Sequence, residues 1–332
     1  MASTTRLLKS FIRLLLPVVL LVVGLVAAGS VWLVYTTARP NTSRYLVTPD
    51  KYGQLSLRAA QVTDESWPNL DGTSSRGWLL RGSEGAPAVV LLHKFGADRS
   101  YVLNLGVKLN ESTNFTVLMP DLRGHGDTPL VQNSSFGGCE AEDLKGAFQF
   151  LRNLKSPAQV KLVGDKVGVY GIEMGAMAAV NAAAKDQTIK AIAVDSVPAD
   201  SDNLLHSAVG RRFKAASFAT GELARFGTRL YYFDGCYQRE PTCDAARKIA
   251  DRDVLLLSGI DAPEFQDPTS KVAKCFSASD RVDTKFDLSP SGFSIINASI
   301  EQSGSYDQRL IDFFRNSLTE PATQIAQTDP IK

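Results

Sequence analysis

Few side chains in this 332-residue chain could do chemistry. Glu173 stands between Gly171 and Gly175 and is followed by Met174. Two glycines at that spacing suit a sharp turn where backbone segments approach closely and the central residue is strained. A carboxylate at such an apex could act as a nucleophile, but hydrolysis of the resulting ester needs a base to activate water. Only three histidines are available, His93, His125 and His206. A lone histidine needs a placed partner before it acts. His93 is therefore read as orienting its loop by hydrogen bonds to backbone, His125 as holding a turn, and His206 as a remote candidate. Lys94, beside His93, brings a cation to the same region.

The elements that must position these residues alternate. Short apolar runs at 88–92, 116–119, 167–170, 192–194 and 254–257 read as buried strands, with a further strand expected at roughly 293–297. Residues 140–154 and the stretch around Leu310, Ile311, Phe313 and Phe314 read as amphipathic helices. Strands alternating with helices imply an α/β protein with a mostly parallel sheet covered on both faces. The long stretch 196–252 falls between the runs at 192–194 and 254–257 as a lid-like insertion, above the strand ends where ligands enter such sheets.

In this order and spacing the motifs resemble the α/β-hydrolase superfamily, in particular its serine aminopeptidase-like and dienelactone hydrolase-like groups. Leu91-Leu92-His93-Lys94-Phe95-Gly96 resembles the loop after strand three, and Asp121-Leu122-Arg123-Gly124-His125-Gly126 the loop after strand four. Gly171-Ile172-Glu173-Met174-Gly175 lies where the Gly-x-Ser-x-Gly nucleophile elbow belongs. The resemblance runs from about residue 60 to 318. It implies a Ser-His-acid triad, and the sequence departs from it at each member. Glu173 replaces the serine, no histidine stands in 298–304 after the expected last strand, and Asp261 lies one place short of the expected acid position. Lys94 takes the place of a glycine beside the histidine. An ion pair between Lys94 and Glu173 in the former active site is one reading. The other holds Glu173 by N–H groups at the start of its helix. The binding residues to test are His93, Lys94, Glu173, Met174 and His125, with Asp261 as a residual acid.

Two functions follow. The first is a pseudoenzyme, with the hydrolase fold kept as a binding or assembly module. The alternative is a hydrolase or acyl-transfer enzyme in which Glu173 works with a distant helper. No cofactor or metal is expected, since the cysteine spacing does not fit a zinc site. A net charge of +1, with no basic run among aromatics, argues against nucleic acid.

Residues 14–35 carry no charge and are long enough, as a helix, to cross a bilayer. Small residues at 27–30 would suit signal-peptide cleavage, but the apolar run continues past them, which favours a retained anchor. The partner expected of this segment is the lipid bilayer, and of the domain a membrane protein or a small ligand. Arg6, Lys9 and Arg13 before the span place a short N-terminus, 1–13, in the cytoplasm and the domain outside it. Residues 36–60 read as a linker and entry, 61–318 as the domain and 319–332 as a loose tail. Four cysteines in an exported domain suggest disulfides, expected between Cys236 and Cys243 and between Cys139 and Cys275.

Overall fold

The computed structural model describes residues 2–40, 45–54, 56–213, 217–277 and 281–319. It opens with a 37-residue helix, α1 (Ala2–Ala38), then a short helix, α2 (Pro49–Gly53). Strands β1 (Thr63–Pro68), β2 (Ser74–Leu80) and β3 (Ala86–Leu92) follow. The alternation then runs α3 (Leu103–Thr113), β4 (Thr116–Pro120), α4 (Cys139–Asn153), β5 (Val163–Ile172), α5 (Met174–Ala183) and β6 (Ile189–Asp195). Helices α6 (Ser201–Arg212), α7 (Ser217–Tyr231) and α8 (Thr242–Ala246) come before β7 (Asp253–Gly259). The chain finishes with α9 (Pro263–Ala273), β8 (Val282–Leu288) and α10 (Ile300–Leu318).

The strands form one sheet in the order β1-β2-β4-β3-β5-β6-β7-β8. β2 pairs antiparallel with β1 and β4, and every pairing from β4 to β8 is parallel. β3 to β7 read as apolar runs because both faces are covered. Leu92, Val169 and Val194 face a core with α4 and α5, while Leu91, Tyr170 and Leu257 face a core with α3 and α10. Helix α5 is buried at every position, which its run of alanine and glycine permits.

Strand eight is not where the apolar run pointed. β8 is Val282–Leu288, and Phe293–Asn297 instead lies in a 3-10 helix, Gly292–Asn297. The physical reason is position: β8 is an edge strand with one neighbour, half exposed along its length, and it carries Asp283, Lys285 and Asp287. Its pattern is polar, so the apolar Phe-Ser-Ile-Ile run mimicked a strand better than the strand did.

The described residues of 36–60 touch the domain. Ala38, the last residue of α1, accepts a bond from Ser134 N at 2.9 Å, and Arg39 Nε donates to Asn133 Oδ1 at 2.7 Å. Tyr45 packs on Trp78, and Tyr52 hydroxyl donates to Asn104 Oδ1. The expected tail, apart from Thr319, lies outside the described residues.

The disulfides pair differently from expectation. Cys139 joins Cys236, and Cys243 joins Cys275. The segment holding Cys236 folds over the turn before α4: Tyr232 hydroxyl donates to Ser134 carbonyl, and the Tyr232 and Tyr237 rings meet Phe136. That carries Cys236 onto Cys139 and leaves Cys243, on α8, facing the end of α9.

Candidate active site

β5 ends at Ile172 and α5 begins at Met174, so one residue makes the turn. That residue, Glu173, has φ 52° and ψ −107°. A side-chain-bearing residue there is strained. Glycine is needed on both sides. A Cβ on Gly171 would come 2.2 Å from Gly175 carbonyl oxygen, and one on Gly175 would come 2.7 Å from His93 carbonyl oxygen. The strand-turn-helix geometry of a nucleophile elbow is therefore present.

The Glu173 side chain is fully buried. Its Oε2 accepts the backbone N–H of Phe95 at 2.9 Å. Its Oε1 accepts from Arg211 Nη2 at 2.7 Å, and Arg211 is the penultimate residue of α6. No capping bond runs from Glu173 to the N–H groups of α5. Neither expected partner is therefore the one found. The counter-charge comes from the insertion between β6 and β7, and the N–H comes from the loop after β3. That loop is where this fold supplies an oxyanion-hole donor. The carboxylate thus holds a position that a substrate's developing oxyanion would need.

Lys94 does not pair with Glu173. Its Nζ donates to Phe293 carbonyl oxygen at 2.6 Å and lies 4.0 Å from the Phe293 ring centre and 5.2 Å from that of Tyr101. Burial lowers the pKa of the amine, the nearby Glu173 charge raises it, and Arg211 lowers it further. The carbonyl and two ring faces are what a desolvated ammonium requires in place of water.

The loop after β8 is the place from which a base would reach the elbow. Phe293 occupies it, with its ring against Lys94, Phe265 and, at 5.5 Å, the Arg211 guanidinium. Asp261, after β7, accepts from Ser291 N at 3.1 Å and from Ser291 Oγ at 3.0 Å. Asp261 therefore holds the loop after β8 through Ser291. Asp195, at the end of β6, is fully buried and accepts from Gly292 N at 2.8 Å, Tyr306 hydroxyl at 2.6 Å and Ser196 Oγ at 2.7 Å. Burial raises its pKa, and these three bonds oppose the rise. Behind the loop, Tyr101, Asn104, Ile295, Tyr306 and Asp307 line a cavity of about 260 Å³.

His93 and His125 stitch two loops together. His93 Nε2 accepts from Leu122 N at 3.0 Å, and its Nδ1 donates to Lys94 carbonyl at 2.8 Å. His125 Nε2 accepts from Gly96 N at 3.0 Å, and its Nδ1 donates to Arg123 carbonyl at 2.9 Å. Each ring accepts an N–H, so both are neutral with the proton on Nδ1. Burial pushes both pKa values down, that of His125 to about 3 with His93 adding to the effect. Met174, the first residue of α5, is buried, with Ser134 Oγ 3.2 Å from its sulfur. His206 stands apart from the elbow, on α6 against Gly221 of α7.

Sheet order, elbow and insertion define an α/β protein of hydrolase architecture. The chain belongs to the alpha/beta hydrolase family, whose profile matches residues 72–290, more than half of its length. It is 26% identical over 124 residues to a thiohydrolase from Aspergillus aculeatus, an alignment taking in 37% of each chain. It therefore spans only about a third of the curated relatives it matches. The fold is also that of the Pyrococcus furiosus esterase Pf2001, with a TM-score of 0.60, 17% identity and coverage of 84% of this chain and 98% of that one. Dienelactone hydrolase from Anabaena variabilis gives a TM-score of 0.51 at 15% identity, covering 78% of this chain and all of the other.

Proposed function

We propose that this chain is a membrane-anchored member of the family that uses the hydrolase fold for binding or assembly. The observation that carries this reading is the Glu173 carboxylate, bound to Phe95 N–H and clamped by Arg211. An oxyanion arriving there would meet a resident anion. Phe293 supports the same reading, since its ring, in the loop after β8, supplies no general base. The ligand is a membrane protein or a small molecule. α1, the single described helix long and apolar enough to cross a bilayer, supports anchoring, and two disulfides support a domain outside the cytoplasm.

The alternative is a hydrolase in which Glu173 is itself the nucleophile or base. The similarity to a thiohydrolase and the strained φ at Glu173 favour it. The full-length chain in detergent, offered ester, thioester, lactone and peptide substrates, separates the two. The binding reading expects no turnover above buffer. Turnover that Glu173→Gln abolishes would establish the hydrolase.

A further inference from the structure

Helix α1 has two unlike halves. Apart from Gly24 and Pro17, the stretch from Leu14 to Val26 is an unbroken series of large apolar side chains exposed on every side. From Ser30 onward one face packs on the domain, with Ser30, Leu33, Val34, Thr37 and Ala38 buried. The stretch clear of the domain, sixteen residues from Leu14 to Gly29, rises only about 24 Å, against a hydrocarbon core of about 30 Å. Tilting would widen the shortfall. If α1 spans the bilayer, its next four residues or so must lie in hydrocarbon too, and those begin at Ser30, beside α7.

The two helices run side by side in the same direction. A Cβ on Gly227 would come 2.3 Å from Ser30 carbonyl oxygen and 2.9 Å from Val34, and four residues on, the Tyr231 ring meets Tyr35. Gly227 is therefore level with a part of α1 that must sit below the membrane surface, and Leu223 is deeper still. Around α7, Ala224, Gly227 and Thr228 face inward, while Leu223, Phe226 and Leu230 form a stripe 39–45% exposed. A separate exposed row holds Glu222, Arg225 and Arg229, and Arg225 reaches back to Asp202 at 2.7 Å. Trp32 and Tyr35, the latter under the Arg39 guanidinium, sit at the level expected of an interfacial aromatic belt.

We propose that α7 is a second membrane contact, lying along α1 with Leu223, Phe226 and Leu230 inserted into the acyl region of the lipid. The charged row stays off the lipid, with Arg225 held back on Asp202 of α6. The inserted surface is apolar and continuous with the exposed flank of α1, so its occupant is lipid. This rests on the reading of α1 as a transmembrane anchor.

The test uses the full-length chain in phosphatidylcholine vesicles. All four native cysteines are in disulfides. Single variants Leu223→Cys, Phe226→Cys, Leu230→Cys, Val19→Cys and Val160→Cys can therefore each carry one environment-sensitive fluorophore. Acyl-brominated phosphatidylcholine then reports lipid contact by quenching. The expected result is quenching at the three α7 positions of at least about half that at Val19, and none at Val160. Quenching at Val19 with none on α7 overturns the proposal and leaves the anchor standing. No quenching at Val19 overturns the anchor, and the proposal with it. The extra Trp quenching of Phe226→Trp over wild type, whose own Trp32 lies in the belt, in the same vesicles without a label, guards against a fluorophore that displaces the helix.

Discussion

Arg211, on a helix of the insertion, donates to Glu173 Oε1 at 2.7 Å, so the apex of the elbow is paired to a segment outside the central sheet. The acid is fully buried while the guanidinium is about one-third exposed.

Arg211→Met should leave Glu173 buried with Phe95 N–H as its remaining bond. The expected cost is about 2 kcal/mol, in the range of a hydrogen bond to a charged group and reduced by the exposure of the guanidinium. Denaturant midpoints measure it. Adding Glu173→Gln to Arg211→Met should recover part of the loss, because the stranded charge is gone. Equal midpoints for wild type and Arg211→Met would mean that water replaces the guanidinium freely.

Glu173→Ser alone should hydrolyse no activated ester above the uncatalysed rate. The hydroxyl would have no base, since Phe293 holds the loop position from which one would act. Glu173→Ser combined with Phe293→His returns nucleophile and imidazole together, with Asp261 already bonded to the same loop. Saturable turnover is expected from the double variant only. Saturable turnover from the single variant would reveal a hidden base.

The acid limb of the stability profile should carry the signature of His125. Its folded pKa is pushed down to about 3, while in the unfolded chain the ring binds a proton below about 6.5. The unfolded state therefore holds more protons between those values, and stability from the neutral ring is lost as pH falls through that window. From pH 6.5 to 5 the loss is about 2 kcal/mol. Asp143, raised to about 6 by burial, acts in the opposite sense over part of this range. The contribution is isolated by comparing wild type with His125→Asn. The stability gap between them should narrow by that amount on acidification, and a gap constant with pH would remove the assignment.

Digestion without reductant should yield linked peptides joining Cys139 to Cys236 and Cys243 to Cys275. A peptide joining Cys236 to Cys243 would contradict the fold of the insertion. Replacing Cys139 and Cys236 together by serine opens a loop of 97 residues and should cost about 2–4 kcal/mol.

The buried strands from β3 to β7 were legible because a strand covered on both faces has to be apolar throughout. The elbow was legible because only glycine fits at Gly171 and Gly175. Edge strand β8 was hidden by its charges, and misplacing it hid Phe293, whose place in the site is visible only once the strand ends at Leu288. Arg211 sits beside Arg212 in the last turn of α6, where basic residues are ordinarily solvated, so nothing local marked it as the partner of a buried acid 38 positions away. Disulfide connectivity followed from how the 232–238 segment folds back over the turn before α4, a tertiary fact with no counterpart in cysteine spacing.

The packing of α1 on α7 has a mechanical consequence. Arg211 hangs from α6, α6 leans on α7 through His206 and Gly221, and α7 is interlocked with α1 at Gly227 and Ser30. The insertion is bolted to the longest described helix. A rigid-body swing of α6 that withdraws Arg211 from Glu173 has two routes. Either α6 slides along α7, or the whole α1–α7 pair rocks against the sheet and strains the Ala38–Ser134 and Arg39–Asn133 bonds. By the second route, torque applied far out on α1 would arrive at the elbow.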